Sequence, residues 1–370
     1  MKVLQILPEL NSGGVERGTL EIARALIAAG HEAVVVSNGG RLVAELESLG
    51  AKHITRPVHK KSVKSLLQVR PLRRLFEQEK PDIVHIRSRV PGWIAWLAWR
   101  KMDVKTRPHF ISTVHGFYSV NAYSAIMVRG ERVIAVSESI REYILKNYPK
   151  VPAEKIRVIH RGVSAEEFPR DWQPEASWTA SWRDAQPRLA GKQVLLLPGR
   201  ITRWKGQQDF IELIAALKSK GLPVHGLIAG DTHPKKKAFL GELESLAAAK
   251  GVSQEVTFLG HRSDVREVMA VSDVVFSLST DPEAFGRVSL EAMALGKPVV
   301  AYDHGGVAEQ LKMLFPNGTV KPGDQAALLA ATLRILQAEE RPAVVMAPLT
   351  REAMCAATLA VYAEVMTVAV

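Results

Sequence analysis

Short runs of Val, Ile and Leu alternate along this chain with amphipathic segments of helical length. In the first half the apolar runs are VLQIL (3–7), EAVVV (32–36), DIVHI (82–86), HFISTV (109–114), RVIAV (132–136) and KIRVI (155–159). In the second they are VLLLP (194–198), VHGLIAG (224–230), EVTFLG (255–260), VVFSLS (274–279) and PVVAY (298–302). Between the first two, VERGTLEIARALIAAG places Leu20, Ile22, Ala23, Leu26 and Ile27 on one face of a helix that Gly30 ends. Apolar strands separated by helices predict parallel sheets covered on both faces. Two such series predict two Rossmann-like α/β domains, an N-terminal one over 1–168 and a C-terminal one over 193–345. The stretch 169–192, with Pro169, Pro174, Pro187, Gly191 and three tryptophans, reads as a connector. Open parallel sheets bind ligands beyond the carboxyl ends of their strands. The loops after these strands, facing a central cleft, are therefore where chemistry is expected.

A chain of 370 residues is also too long for one compact core. With 47% hydrophobic and 24% charged residues it is an ordinary globular composition, which excludes wholesale disorder. Charge changes the picture more. Residues 1–185 carry 29 Lys and Arg against 19 Asp and Glu, and residues 186–370 carry 20 against 19. A basic first half predicts an anionic partner: nucleic acid, lipid headgroups or a phosphorylated acceptor. No nucleic-acid motif or aromatic stacking platform accompanies the charge, so nucleic acid is not expected. The single Cys355 excludes an intramolecular disulfide and a multi-cysteine zinc cluster. Pro8 and Glu9 interrupt any signal-peptide core, and no apolar run reaches the roughly 18 residues that span a bilayer. A cytoplasmic protein is expected, in contact with a membrane surface at most.

Three loops carry candidate chemistry. After the first strand, PELNSGGVERG offers Gly13 and Gly14, whose bare backbone suits an anion at a helix start or simply a tight turn. After VLLLP, GRITRWKG sets Arg200 and Lys205 five residues apart, a spacing that suits a diphosphate or a solvated basic loop. After VVFSLS, PEAFGRVSLE holds Glu283 and Glu291 eight apart. Phe285, Gly286, Arg287 and Val288 lie between them at a helix start, where unpaired N–H groups face outward. Carboxylates there can take sugar hydroxyls or merely favour the helix dipole. The stretch HKKSVKSLLQVRPLRRLFEQEK (59–80) interleaves cations with Val63, Leu66, Leu67, Leu72, Leu75 and Phe76, and Pro71 predicts two short helices or a kink. It fits an anionic membrane, a phosphorylated glycolipid acceptor, or a helix packed on its sheet with a solvated basic face. Trp93, Trp96 and Trp99 form an aromatic series, read first as core packing and second as contact with an acceptor or a membrane.

Taken together, SGGVERGTLEIARAL, AVSESIREYI, KIRVIHRGV, LPGRITRWKG and above all PEAFGRVSLEAMALGKPVVAYDHGG resemble glycosyltransferase family 4, retaining nucleotide-sugar enzymes of the GT-B fold. The resemblance implies that Arg200 and Lys205 hold the donor diphosphate. It gives Glu283 and the amides around Phe285, Gly286, Arg287 and Val288 to the donor sugar and phosphates, and Glu291 to the ribose. Gly13 and Gly14 would line the cleft from the first domain, and His115 in TVHGFY would touch the donor sugar. Base selectivity would lie around Gly230, Gly260, His261 and Arg262. The segment 346–370 would return as a helix to the first domain. Retention without an evident carboxylate nucleophile implies front-face attack by the acceptor hydroxyl. SLSTDPE has no paired-aspartate metal motif, and neither metal nor cofactor is expected. The implied acceptor is a glycan or glycolipid of a bacterial surface such as lipopolysaccharide, phosphorylated in some cases. A sugar-nucleotide epimerase or a non-catalytic nucleotide-sugar-binding protein would share the architecture. Where many members read Pro-Asn-Gly-Val, this chain has His160-Arg161-Gly162-Val163, and Arg161 has no assigned role.

Overall fold

The structure, a computed structural model, describes residues 1–11, 13–231 and 237–367. Seven strands order the first unit: β1 (Lys2–Ile6), β2 (Glu32–Ser37), β3 (Lys52–Thr55), β4 (Ile83–Ile86), β5 (His109–Val114), β6 (Arg132–Ala135) and β7 (Ile156–Val158). All pair in parallel, in the order β3-β2-β1-β4-β5-β6-β7. Val3 faces Ala33 on one side and Ile83 on the other. The central strands are apolar without alternation because helices bury both faces; Val34, Val35 and Val36 are all buried. The helix Gly14–Ala28 turns Leu20, Ile22, Ala23 and Leu26 to the sheet, and Gly30 follows its end with φ 74°.

This unit comprises Met1–Gly162 and Arg351–Val370. Of the closing segment 346–370, residues 368–370 lie outside the described residues. The helix Arg351–Thr367 packs Met354, Cys355, Val361, Tyr362 and Val365 into the same core as Leu20, Ile22 and Leu26. Polar groups fix it as well. Tyr362 Oη is 2.7 Å from Nδ1 of His85 on β4, and Glu364 accepts from Arg132 (2.8 Å) and Arg157 (2.5 and 3.1 Å).

The second unit, Val163–Thr350, has six described strands. They are β8 (Gln193–Pro198), β9 (Val224–Ala229), β10 (Val256–Gly260), β11 (Val274–Ser277), β12 (Val299–Tyr302) and β13 (Thr319–Val320). They run parallel in the order β10-β9-β8-β11-β12-β13. The stretch 169–192, expected as a connector, holds a helix, Ala176–Ala185, seated on this unit. Its tryptophans find partners there: Trp178 Nε1 donates to Asp264 at 2.9 Å, and Arg266 stacks over Trp172 at 3.9 Å. In each sheet the chain leaves the first strand, builds one side, and returns to build the other. The strand order therefore reverses between β1 and β4, and again between β8 and β11. Within each sheet, the loops that follow the two strands flanking the reversal leave in opposite directions, which is where ligands of such sheets bind.

No helix among the described residues is long and apolar enough to cross a membrane. The basic stretch 59–80 forms a 3₁₀ segment, Val63–Gln68, and a helix, Val69–Glu79, with Pro71 in the helix's first turn. Pro is tolerated there because the first-turn N–H groups have no intrahelical acceptor. Its apolar residues part ways: Leu72, Leu75 and Phe76 are buried, whereas Leu66 is 51% and Leu67 73% exposed. The side chain of Val63 lies outside what is described. Trp93, Trp96 and Trp99 are not core residues. Helix Arg89–Trp99 buries Ile94, Ala95 and Ala98, leaving the indoles half-buried under Arg129, Arg100 and Arg107.

Candidate active site

In the second unit the loops after β8 and β11 lie side by side at the reversal of strand order. Their approach is close enough to demand glycine. Gly206, with φ 73°, opens the helix Gln207–Ser219, and a Cβ there would stand 2.0 Å from the carbonyl oxygen of Leu278. Gly286, with φ 83°, opens the helix Arg287–Ala294, and a Cβ there would meet Val307 at 2.2 Å. Hydrogen bonds complete the arrangement. Thr280 N donates to Trp204 O at 2.7 Å, Gly306 N to Glu283 O at 2.8 Å, and Gln310 Nε2 to Phe285 O. His304 Nε2 donates to Ser279 O at 2.6 Å.

These loops join Lys205 to Glu283, Nζ to Oε1, at 2.7 Å. Both side chains are largely buried, at 15% and 19% exposure. Ser279 Oγ donates to the same carboxylate oxygen at 2.5 Å and Ser277 Oγ at 3.5 Å. Burial pushes the Glu283 pKa up, but the Lys205 ammonium and the two hydroxyls outweigh it and hold the carboxyl below its ordinary value. Glu283 is therefore an anion with fixed orientation. An ammonium has three donors, so its bond to Glu283 leaves Lys205 able to bind a phosphate oxygen as well.

Arg287 and Glu291 pair across one turn of the helix Arg287–Ala294, at 3.5 Å. Glu291 is the fifth residue of that helix and stands one turn in from its N-terminus. Arg200 is exposed, and its guanidinium makes no hydrogen bond or ion pair among the described residues. Phe285 is a packing residue, 5% exposed, while Val288 is half-buried. The second unit thus offers a fixed carboxylate, two cations on one loop, and a helix N-terminus that can receive negative charge.

The first unit collects a second group at the ends of its strands. Gly13 precedes the helix Gly14–Ala28, and a Cβ on it would stand 2.6 Å from Glu16 Oε2. The Glu16 carboxylate therefore already lies over that helix start. Burial raises its pKa, against the pull of its own N–H and of Arg87. Arg87, directly after β4, is 1% exposed; its Nη1 donates to Gln5 at 2.9 Å. His115, directly after β5, receives a hydrogen bond from Arg161 at 3.3 Å. Burial lowers the His115 pKa well below the usual imidazole value, aided by the charges of Arg161 and Arg87. It is a neutral imidazole at physiological pH.

Comparison with known proteins decides the family. The model described as Glycosyltransferase Family 4 matches residues 12–167, and that described as Glycosyl transferases group 1 matches 179–347. The chain belongs to glycosyltransferase family 4. It is 26% identical to the D-inositol 3-phosphate glycosyltransferase of Jonesia denitrificans over 80% of this chain and 76% of that one. A crystal structure of a glycosyltransferase from Rickettsia africae is 29% identical, with a TM-score of 0.82 over 100% of this chain and 99% of its own. HepE of Anabaena, crystallised with UDP and glucose, is 22% identical and shares the fold, with a TM-score of 0.80 over 100% of both chains. The two parallel-sheet units are those of a GT-B glycosyltransferase.

In this family 4 chain, the structure brings Lys205 to Glu283 and Arg287 to Glu291, and it sets Arg200 on the Lys205 loop. Gly13 and Gly14 lie at the start of one helix, and His115 touches Arg161. Sequence reasoning missed Ser277, Ser279 and His304, which hold or flank Glu283, and it missed Arg87. The alternate serines of VVFSLS were visible, but only the turn that folds Glu283 back onto them makes them partners.

Proposed function

We propose that this glycosyltransferase moves a sugar from a nucleoside-diphosphate sugar to a hydroxyl of a cell-surface glycan or glycolipid, with retention at the anomeric carbon. The observation that carries the reading is the ionised Glu283, locked by Lys205 beside the amides that start the helix Arg287–Ala294. A carboxylate so placed takes two sugar hydroxyls, while the ammonium and the helix N-terminus take the diphosphate. Arg200 joins Lys205 in neutralising the diphosphate as it leaves. Glu291 takes the ribose diol. His115 donates to a hydroxyl of the donor sugar, and Gly13 and Gly14 present bare backbone to the ligand. The acceptor hydroxyl attacks from the face the diphosphate leaves. The anomeric C–O bond to phosphate breaks, the new glycosidic bond forms, and the acceptor proton passes to the departing phosphate oxygen. Catalysis then consists of positioning and charge stabilisation. The two cations do the electrophilic work, so transfer is expected to persist in excess chelator.

The basic excess of the first half supports an anionic acceptor or membrane, and the name of the Jonesia denitrificans relative contains a phosphorylated one. We assign the protein to the cytoplasmic side of an anionic membrane, in the synthesis of a surface glycan such as lipopolysaccharide. The test is a panel of nucleotide sugars, screened first for thermal stabilisation and then, for each binder, for transfer, with product anomers read by NMR. A single anomer matching the donor supports the proposal. Inverted product removes the front-face route, an altered sugar from donor alone means an epimerase, and stabilisation without turnover means a binding protein.

A further inference from the structure

We infer that Arg161 is a positioning residue, one that fixes which nitrogen of His115 carries the proton and hence which N–H the ring can offer to a bound sugar. The inference rests on the assignment of His115 to the transfer site. Arg161 Nη2 lies 3.3 Å from His115 Nδ1. A guanidinium only donates, so Nδ1 accepts and the single ring proton sits on Nε2. That nitrogen is buried and has no hydrogen-bond partner among the described residues, although the ring as a whole is partly exposed. A buried donor left unpaired is costly, and such groups cluster where a ligand supplies the partner. A sugar hydroxyl oxygen is an acceptor of that kind.

Arg161 is itself held from several sides. It is 7% exposed, its Nη2 lies 3.4 Å from Gly14 O, and its Nη1 lies 3.6 Å from the sulfur of Met354. The guanidinium rests on Gly18, where a Cβ would come within 2.5 Å of Nη2. Gly18 thus leaves the space in which Arg161 reaches the imidazole. The charged and titratable groups acting on the ring are Arg161, Arg87 and His85, and Tyr118 Oη accepts from the His115 backbone N–H at 3.2 Å. Each charge, like burial, disfavours an imidazolium, so the ring works as a neutral N–H donor.

The experiment uses the full-length chain with ¹⁵N-labelled histidine. Long-range proton–nitrogen correlation reads the His115 tautomer, with its signals assigned through His115→Gln. The wild type is expected to show one neutral form, protonated at Nε2, at physiological pH. Arg161→Met removes the donor and is expected to give a mixture of tautomers and a lower kcat with little change in donor KM. Gly18→Ala displaces the guanidinium with its charge retained and is expected to do the same, while Arg161→Lys, which keeps a donor, restores the single form. An Nδ1–H form in the wild type overturns the inference. So does a tautomer unchanged in both Arg161→Met and Gly18→Ala. If the tautomers behave as expected but His115→Gln transfers at the wild-type rate, the inference about Arg161 stands and the assignment of His115 to the site falls.

Discussion

At the scale of single residues, exposure separates side chains that serve the reaction from those that serve the fold. Arg200 is exposed and unbonded among the described residues, so nothing in the fold depends on its guanidinium. Arg200→Ala is therefore expected to leave the unfolding midpoint unchanged while lowering turnover by about a hundredfold, the usual loss when one charge-stabilising donor is removed. Steady-state rates beside a melting curve check both halves, and a near-normal rate removes Arg200 from the mechanism. His225 is the opposite case. It lies fully buried in β9, with Nε2 2.8 Å from Thr257 Oγ1. Burial, with Lys192 and Arg188 nearby, lowers its pKa from 6.5 to about 4. The folded state thus resists a proton that the unfolded chain accepts, and stability is lost as pH falls through the window from 6.5 to 4. Between pH 7 and 5 this one group is expected to remove about 2 kcal/mol. Urea titrations at the two pH values should show that loss, and His225→Gln should reduce it by the same amount. An unchanged pH dependence in the variant assigns the loss elsewhere.

At the scale of elements, the closing helix Arg351–Thr367 shows which of two polar contacts matters more. Glu364 binds two arginines, but those side chains are 22% and 35% exposed and the carboxylate 29%, so water competes for each pair. Glu364→Gln is expected to cost about 1 kcal/mol or less. Tyr362 makes one side-chain hydrogen bond among the described residues, yet its partner His85 is fully buried and needs it. Tyr362→Phe strands Nδ1 of His85 and is expected to cost about 2 kcal/mol. Denaturant midpoints of the two variants give the order, and equal losses would refute it. The same difference between local pattern and tertiary partner explains what could be read in the sequence. The buried central strands were legible because both faces are apolar. Strands β3, KHIT, and β13, TV, were not, since one is half-exposed at a sheet edge and the other only two residues long. The Arg200–Lys205 loop and Glu283 stood out as charge in a glycine-rich motif after a strand. Ser277, Ser279, Arg87 and the contact of Arg161 with His115 did not, because each acquires meaning only when separate strand ends converge.

At the scale of the whole molecule, the basic excess of residues 1–185 has a place to act. The 3₁₀ segment Val63–Gln68 turns Leu66 and Leu67 outward, and Lys60, Lys61, Lys64 and Arg70 are exposed around them. Apolar tips inside a cationic collar suit the surface of an anionic bilayer: the leucines enter the headgroup boundary, and each cation adds about 1 kcal/mol at low salt. The two contributions respond differently to ionic strength, since screening weakens the cations and leaves the leucines unaffected. Sedimentation with vesicles containing phosphatidylglycerol is expected at about 50 mM salt and release by about 0.5 M. Replacing Lys60, Lys61 and Lys64 by Glu should abolish binding even at about 50 mM salt. Leu66→Ser with Leu67→Ser should weaken binding while keeping its salt dependence. Neither variant touches a residue assigned to transfer, so both should retain the wild-type rate on a water-soluble acceptor. If the wild type stays in the supernatant at low salt, the membrane assignment fails and the cations are a solvated face. If it sediments and the leucine variant sediments equally, the attraction is electrostatic alone, and the exposed leucines require a different partner.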